Sequence, residues 1–376
     1  MKFTINSKAL LSRVVAAGKA IGNRPSISAL GHFLFSLEEK AITITASDSD
    51  NIVVSRIEAN DAEGRGRVCI DAKRITELLK AMPDCPVSFD IDESTLEVVI
   101  RYTNGKYKLV GTNAEYYPID EAEEVNLKGS FSMPTSQILN VIDKVGFAVS
   151  EDEIRPVMNG IYWDITDDAI TFVATDTHVL AKYRSTRTAP GATMSFILPG
   201  KALPLIRAFI SKQADVELKV SERFVIFEGD DFKVRITLLN GRYPDYNRVI
   251  PTSQPISIIV DRMDFINAIN RVSICADAQS SLLRVKIGDG VLDATAQDMS
   301  FNIGGEERIA CDYYGEPMEL GFRSSYLKGV LSAMNTQNIV MKLKSANLPG
   351  VFVPAENDEY GELTLLCMPM SIQQTA

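Results

Sequence analysis

The stretch KFTINSKALLSRVVAAGKAI, residues 2–21, decides the fold. Phe3 and Ile5 alternate with polar residues, as in a short strand. Asn6 and Ser7 form a polar junction. Leu11, Val14, Val15 and Gly18 then fall at i, i+3, i+4 and i+7, one face of a helix. Lys8, Arg13 and Lys19 lie off that stripe. The unit recurs as RVCIDAKRITELLKAM from Arg67, SFSMPTSQILNVIDKV from Ser130, SFILPGKALPLIRAFI from Ser195, SIIVDRMDFINAINRV from Ser257 and ELGFRSSYLKGVLSAM from Glu319. The starts are 62 to 65 residues apart, long enough for each copy to be half a domain. The cleanest stripes are Ile75/Leu78/Leu79/Met82, Ile138/Val141/Ile142/Val145 and Leu327/Val330/Leu331/Met334.

A chain of 376 residues suits two or three cores, and six half-units favour three domains of two units each. Hydrophobic residues make up 45% and charged residues 23%, a globular balance. MKFTINSKALL lacks the long apolar stretch and small-residue cleavage site of a signal peptide. No apolar run approaches a membrane span. Cys69, Cys85, Cys275, Cys311 and Cys367 are odd in number and scattered, with no C-x-x-C pair, which argues against a disulfide framework or a zinc site and fits a reducing cytoplasm.

The net charge of −10 argues against a nucleic-acid partner, but its distribution argues the reverse. The helical windows 7–24, 71–82, 135–146, 200–212, 261–271 and 323–334 hold fifteen Lys or Arg and five Asp or Glu. They carry +10 and the rest of the chain −20. Glu is as good a helix former as Lys, so its scarcity there reads as functional segregation of charge.

Between the helices lie short alternating strands separated by polar turns. Each repeat holds two helices and about eight strands in hairpins, an α+β architecture with both helices against mainly antiparallel sheets. The acidic stretch at residues 120–124 and the segment 251–255 read as linkers, which sets domains at 1–124, 125–254 and 255–376. ITASDSDNIVV, FVATDTHVLA and ATAQDMSFNI fall at equivalent places in the three repeats.

Catalytic signatures are missing. His32 and His178 are the two histidines, and no nucleophile elbow, P-loop, zinc-protease or dinucleotide fingerprint occurs. Thr175-Asp176-Thr177-His178 is the one tempting cluster, and it reads more readily as a hairpin turn whose Asp and His bond to backbone. Asp167-Asp168 and Asp230-Asp231 read as solvated loop tips. No metal-ligand spacing stands out, and no cofactor is expected.

MKFT with its following helix, Gly22-Asn23-Arg24-Pro25, Ala174-Thr175-Asp176-Thr177-His178, Gly241-Arg242-Tyr243-Pro244-Asp245-Tyr246 and the terminal Met368-Pro369-Met370 together resemble the bacterial sliding clamps, the beta subunit of DNA polymerase III. The resemblance covers essentially the whole chain and rests on the order and spacing of these motifs. It implies a non-catalytic processivity factor: a head-to-tail homodimer closed into a ring, helices lining the hole, sheets outside. Duplex DNA would thread the ring without sequence specificity. Replicative polymerase, clamp loader and other partners would dock a short peptide motif outside. Cytoplasmic location and no membrane partner follow.

Carried over residue by residue, the resemblance places Arg24, Lys73, Arg155 and Pro156 at DNA. It places Met158, Thr175, Thr177, His178, Val179, Leu180, Pro244, Arg248, Val249, Tyr326, Leu366, Met368, Pro369 and Met370 around the peptide pocket. It places Tyr107 and Leu109 against Ile274 and Cys275 at the ring contact. The chain departs from the family pattern in several places. Val179 stands where many members have Arg, Ser280 where an aromatic can wall the pocket, and Ser371 where an Arg is usual. Asp152 and Glu153 make the DNA-side loop more acidic, and the tail continues to Ala376. Two other readings of the residues stay open: a triplicated protein-binding scaffold that does not encircle DNA, and an enzyme using Asp176 and His178.

Overall fold

A computed structural model of the chain describes residues 1–22, 27–118, 126–188 and 190–372. All six recurring units are a strand feeding a helix: α1 (Ser7–Ala17), α2 (Ala72–Ala81), α3 (Thr135–Val145), α4 (Leu203–Ile210), α5 (Arg262–Val272) and α6 (Ser324–Ser332). The polar junction has a physical cause. The first turn of a helix leaves backbone N–H groups unpaired, and a side-chain oxygen at the entry satisfies them. Asn6 accepts from the N–H groups of Lys8 and Ala9, at 2.9 and 3.0 Å. Asp71 accepts from Arg74 at 2.7 Å, and Asp261 from Met263 and Asp264 at 2.9 Å each. In α4, Pro204 in the first turn has no N–H to satisfy.

The apolar stripes of α2, α3 and α6 face their cores, with Ile75, Leu79, Ile138, Val141, Val145, Leu327, Val330 and Leu331 buried. In α1 the buried face is rotated by one residue from the expected one. Ser7, Leu10, Val14 and Ala17 are inside, while Val15 is 40% exposed. Ser7 is drawn inward because its hydroxyl donates to the Pro83 carbonyl at 2.6 Å.

The chain forms two compact units, Met1–Ser136 with Lys201–Leu238 and Gln137–Gly200 with Leu239–Ala376. The first contains a five-stranded antiparallel sheet ending in the strand Gly105–Val110. It also contains an eight-stranded sheet in which Phe232–Thr237 pairs with Asn51–Glu58, Val234 opposite Val53. The second is built on one twelve-stranded sheet, where Val179–Ser185 pairs with Glu362–Cys367. Strands from the middle of the chain thus complete sheets begun by both of its ends. In the first core Phe3 stacks on Phe89 at 4.6 Å; in the second Trp163 packs between Phe172 and Phe196.

The three echoing sequence segments fold into the same turn. Asp48 accepts from the backbone N–H groups two and three residues on, those of Asp50 and Asn51. Asp176 does the same with His178 and Val179, and Asp298 with Ser300 and Phe301. The carboxylate does the work of a backbone turn in each repeat.

Charge is partly spent inside the fold. Lys144 of α3 is 5% exposed, and its ammonium pairs with Asp358. The Asp358 carboxylate also accepts from Asn140 at 3.2 Å and from the Tyr183 hydroxyl at 2.9 Å. In the first unit Arg13 pairs with Asp231, so Asp231 is an ion-pair partner and not a solvated loop tip as expected. The excess positive charge of the helices is therefore smaller at their surfaces than the residue count suggests.

Burial by itself would raise the Asp358 pKa, but the Lys144 ammonium and the Asn140 and Tyr183 donors hold it below the ordinary 3.8. A depressed carboxylate contributes stability that is fully present above its unfolded value and is lost as pH falls through the folded one. Lys144→Met, which leaves Asp358 without its counter-charge, should cost about 3 kcal/mol at neutral pH by urea denaturation. Without the lysine, burial dominates and protonation relieves the site, so the cost should shrink below about pH 4. A pH-independent cost would show that the ion pair is not its source.

Candidate functional site

The site is built on the central copy of the repeated turn, between strands Ile170–Thr175 and Val179–Ser185. The Thr175 hydroxyl donates to the Val179 carbonyl at 2.7 Å and accepts from the Thr177 N–H at 3.1 Å. With Asp176 holding the next two N–H groups, the turn is fully bonded at its base. Thr177 is forced to φ +81°, a left-handed conformation that a β-branched residue resists. The turn leaves Thr177 and His178 exposed. The His178 ring stacks on Tyr326 of α6 at 5.4 Å and 17°, and the Arg323 guanidinium lies 5.6 Å from the same tyrosine ring. Burial first, then the Asp176 carboxylate, raises the Tyr326 pKa, so the phenol stays protonated.

The C-terminal run continues this surface. Val179 lies opposite Cys367 and Leu180 opposite Leu366 in the strand ladder. Beyond the strand, the Met368 N–H donates to the His178 carbonyl and the Met370 N–H to the Gly321 carbonyl, both at 2.8 Å. Leu366 is buried within the strand, and Met368, just past its end, is left 41% exposed. Burial pushes the Cys367 thiol up to about 12, so it is an inert apolar side chain.

Beneath lies a cluster of Val173, Leu180, Ile197, Tyr243, Tyr246, Val351 and Leu366, flanked by Val157 and Ile250. Tyr243 stacks on Tyr162 at 4.8 Å, and the Tyr246 hydroxyl donates to Asp164 at 2.8 Å. The tyrosines hold the segment that exposes Pro244, Arg248 and Val249, the last 54% exposed. Arg248 is bridged to Asp245 at 2.9 Å. Met158, half-buried, follows Val157.

Of the residues singled out in the sequence, the structure joins Thr175, Thr177, His178, Tyr326 and Met368 directly. Val179, Leu180 and Leu366 are buried beneath them, at 2%, 3% and 4% exposure. Asp176, Tyr162, Tyr243, Tyr246 and Gly321 support the site without having been singled out for it; the R-Y-P-D-Y motif carried the signal for two of them. His178 was expected to bond backbone through its side chain, but its ring stacks on tyrosine instead. Elsewhere, Lys73 on α2 and Arg155 and Pro156 are exposed, with Arg155 bridged to Asp152 at 3.2 Å. Arg24 lies outside the described residues, as do the acidic linker at 120–124 and the tail end 373–376. Tyr107 is exposed and Leu109 half-buried; Ile274 is 79% exposed and Cys275 half-buried. No cluster of three or more metal-ligating side chains occurs among the described residues, and no helix there is long and apolar enough to cross a membrane.

Repeat, sheets and site define an α+β chain of the sliding-clamp class. Models of the N-terminal, central and C-terminal domains of the DNA polymerase III beta subunit match residues 1–121, 132–245 and 247–371. The chain belongs to the DNA polymerase III beta subunit family. The beta sliding clamp of Pseudomonas aeruginosa is 25% identical over 374 residues, covering 99% of this chain and all of that protein. That of Staphylococcus aureus is also 25% identical, covering 97% and 98%. Among solved structures, the Pseudomonas aeruginosa clamp bound to griselimycin superimposes with a TM-score of 0.93 at 24% identity, covering 99% and 100% of the two chains. The Bartonella birtlesii clamp bound to the same compound gives 0.92 at 24% identity over the same shares.

The strained turn makes a local prediction. Thr177→Gly removes the left-handed penalty and should raise unfolding stability by about 1 kcal/mol. Asp176→Ala, which strands two N–H groups, should lower it by about 1–2 kcal/mol. Thermal denaturation of both variants checks this; a destabilising Thr177→Gly would mean the φ is not strained.

Proposed function

We propose that the protein is the processivity factor of a replicative DNA polymerase. It acts as a ring that encircles duplex DNA, slides without reading sequence and tethers the polymerase by a docked peptide. The observation that carries the docking role is the C-terminal run. An apolar stretch near a chain end is pinned by two backbone hydrogen bonds beside the His178–Tyr326 stack, with Met368 left at the surface. Methionine repacks around different shapes, which suits a surface that takes several partners, clamp loader included. Met158, Pro244, Arg248, Val249, Pro369 and Met370 complete the proposed rim, over the buried Val179, Leu180 and Leu366.

Ring closure is supported by two incomplete sheet edges. Among the described strands, Gly105–Val110, which carries Tyr107 and Leu109, pairs with one strand only. Ile303–Asp312 pairs with Ile256–Asp261 only through Cys311 and Asp312, so residues 303–310 keep a free edge among the described strands. Ile274 and Cys275 lie beside that edge, since a Cβ at Gly305 would come within 3.2 Å of the Cys275 sulfur. Different edges on one chain make a heterologous contact, and two copies close it into a head-to-tail dimer. The three repeats, 1–124, 125–254 and 255–376, then give six similar domains around the hole. Lys73, Arg155 and Pro156, with Arg24, would meet the phosphates. Phosphate contacts carry no sequence information, so the ring slides. Action is by tethering and not by catalysis: Asp176 serves as a turn acceptor and His178 as a stacked wall.

Loaded protein should stay on nicked circular DNA at a salt concentration that strips phosphate contacts, and should leave the same DNA once linearised. Equal retention on both forms would sink the encirclement. Met368→Ala together with Tyr326→Ala should weaken binding of a polymerase C-terminal tail peptide by about tenfold or more in calorimetric titration, with the dimer unchanged by light scattering. Full-strength binding would move the docking site elsewhere.

A further inference from the structure

A second concavity continues from the docking tail. It is a cleft of about 940 Å³ on the outward face of strands Met318–Arg323, Leu282–Gly288, Val291–Asp298 and Ile303–Asp312. Leu283, Val285 and Leu320 point to the opposite, buried face. One end wall is Met370 and Ser371, the continuation of the proposed pocket. The tail can lie there because residue 321 is glycine: a Cβ would stand 2.8 Å from the Met370 carbonyl oxygen. The other end wall is Met299, 76% exposed, on the C-terminal copy of the turn that builds the pocket in the central repeat. The cleft and the pocket are therefore one continuous surface, joined at Met370.

Its charge has one dominant sign. Among the described residues, Asp277, Glu306 and Glu319 line it against one cation, Arg284, whose guanidinium is 3.6 Å from Glu319. The Ser280 backbone N–H holds the Asp277 carboxylate below its usual range, so it stays ionised. The floor between the charges is apolar where Leu282 contributes. Crossing four strands takes about 14 Å, the reach of about four extended residues.

We propose that this cleft is a second docking subsite, which takes a basic segment of about four residues flanking the peptide held by the Met368–Met370 pocket. The inference rests on the docking reading above and adds a preference among partners: those with Lys or Arg beside the docking motif bind more tightly. Ser280 and Ser371 suit this role. A small residue at each position leaves the cleft open, and the lack of a cation at 371 keeps its mouth acidic.

The test titrates the full-length dimer with three peptides. One is the polymerase C-terminal tail alone. The others are the same tail extended at both ends by four residues of Gly, Lys and Arg, or of Gly, Asp and Glu. The basic extension should tighten binding about three- to tenfold at low salt, with the gain fading as salt rises. The acidic extension should give none. In the Glu319→Gln variant, whose side chain lies off the proposed ring contact, the tail alone should bind as before and the basic gain should shrink toward none. Equal binding of the basic and acidic peptides, or a gain that survives in the variant, overturns the subsite and leaves the pocket standing. Failure of the tail itself to bind overturns the pocket and the subsite with it.

Discussion

The backbone ladder between Val179–Ser185 and Glu362–Cys367 is the constraint on which the site depends. It joins a strand from the middle of the chain to one near its end. Because side chains alternate across a sheet, its register decides what faces the core and what faces water. With Leu180 opposite Leu366, both leucines enter the cluster around Tyr243 and Tyr246. Met368 then emerges next to His178. A slip of one residue would turn the leucines out of that cluster and onto the opposite face of the sheet. The further hydrogen bond from Met368 to the His178 carbonyl carries the register past the end of the strand.

Polar groups reinforce that ladder at its other end. Asp358 gathers Lys144, Asn140 and Tyr183, and it caps its own loop by accepting from the N–H groups of Tyr360 and Gly361. The Ser185 hydroxyl donates to the Tyr360 carbonyl at 2.6 Å and accepts from the Gln137 amide at 2.8 Å. Ionised groups are costly to bury, and such an arrangement persists only when nearly every donor and acceptor is matched. One helix, one strand and one loop must then occupy a single relative arrangement, which is what a docking surface made of several segments requires.

A sliding protein needs attraction to phosphate that is weak and uniform. The helices carry an excess of Lys and Arg, but Arg13 and Lys144 are neutralised within the fold and Arg155 is bridged to Asp152. In the proposed function, exposed cations such as Lys73 would contribute modest, salt-screened attraction. In the proposed ring, retention would come from closure, through sheet edges that the described strands of a single chain leave incomplete.

The sequence by itself determined the repeat, the strand–junction–helix unit, most helix stripes and the α+β class. These signals are local: side-chain periodicity, capping residues and turn-forming aspartates act over a few positions. The three equivalent turns at Asp48, Asp176 and Asp298 were visible as echoes for that reason. The central one, with the terminal Met368-Pro369-Met370, helped carry the family resemblance and with it the proposed docking surface. Only the tertiary structure decided how the middle of the chain divides its strands between two units. It also decided that Lys144 and Arg13 spend their charge on Asp358 and Asp231, 214 and 218 residues away. It turned the buried face of α1 to Leu10 and Ala17, and it sorted the C-terminal run into buried Leu366 and exposed Met368. The physical reason is common to all four. Partners hundreds of residues apart leave no mark in local spacing, and ion pairing and inward orientation depend on which surfaces the sheets bring together.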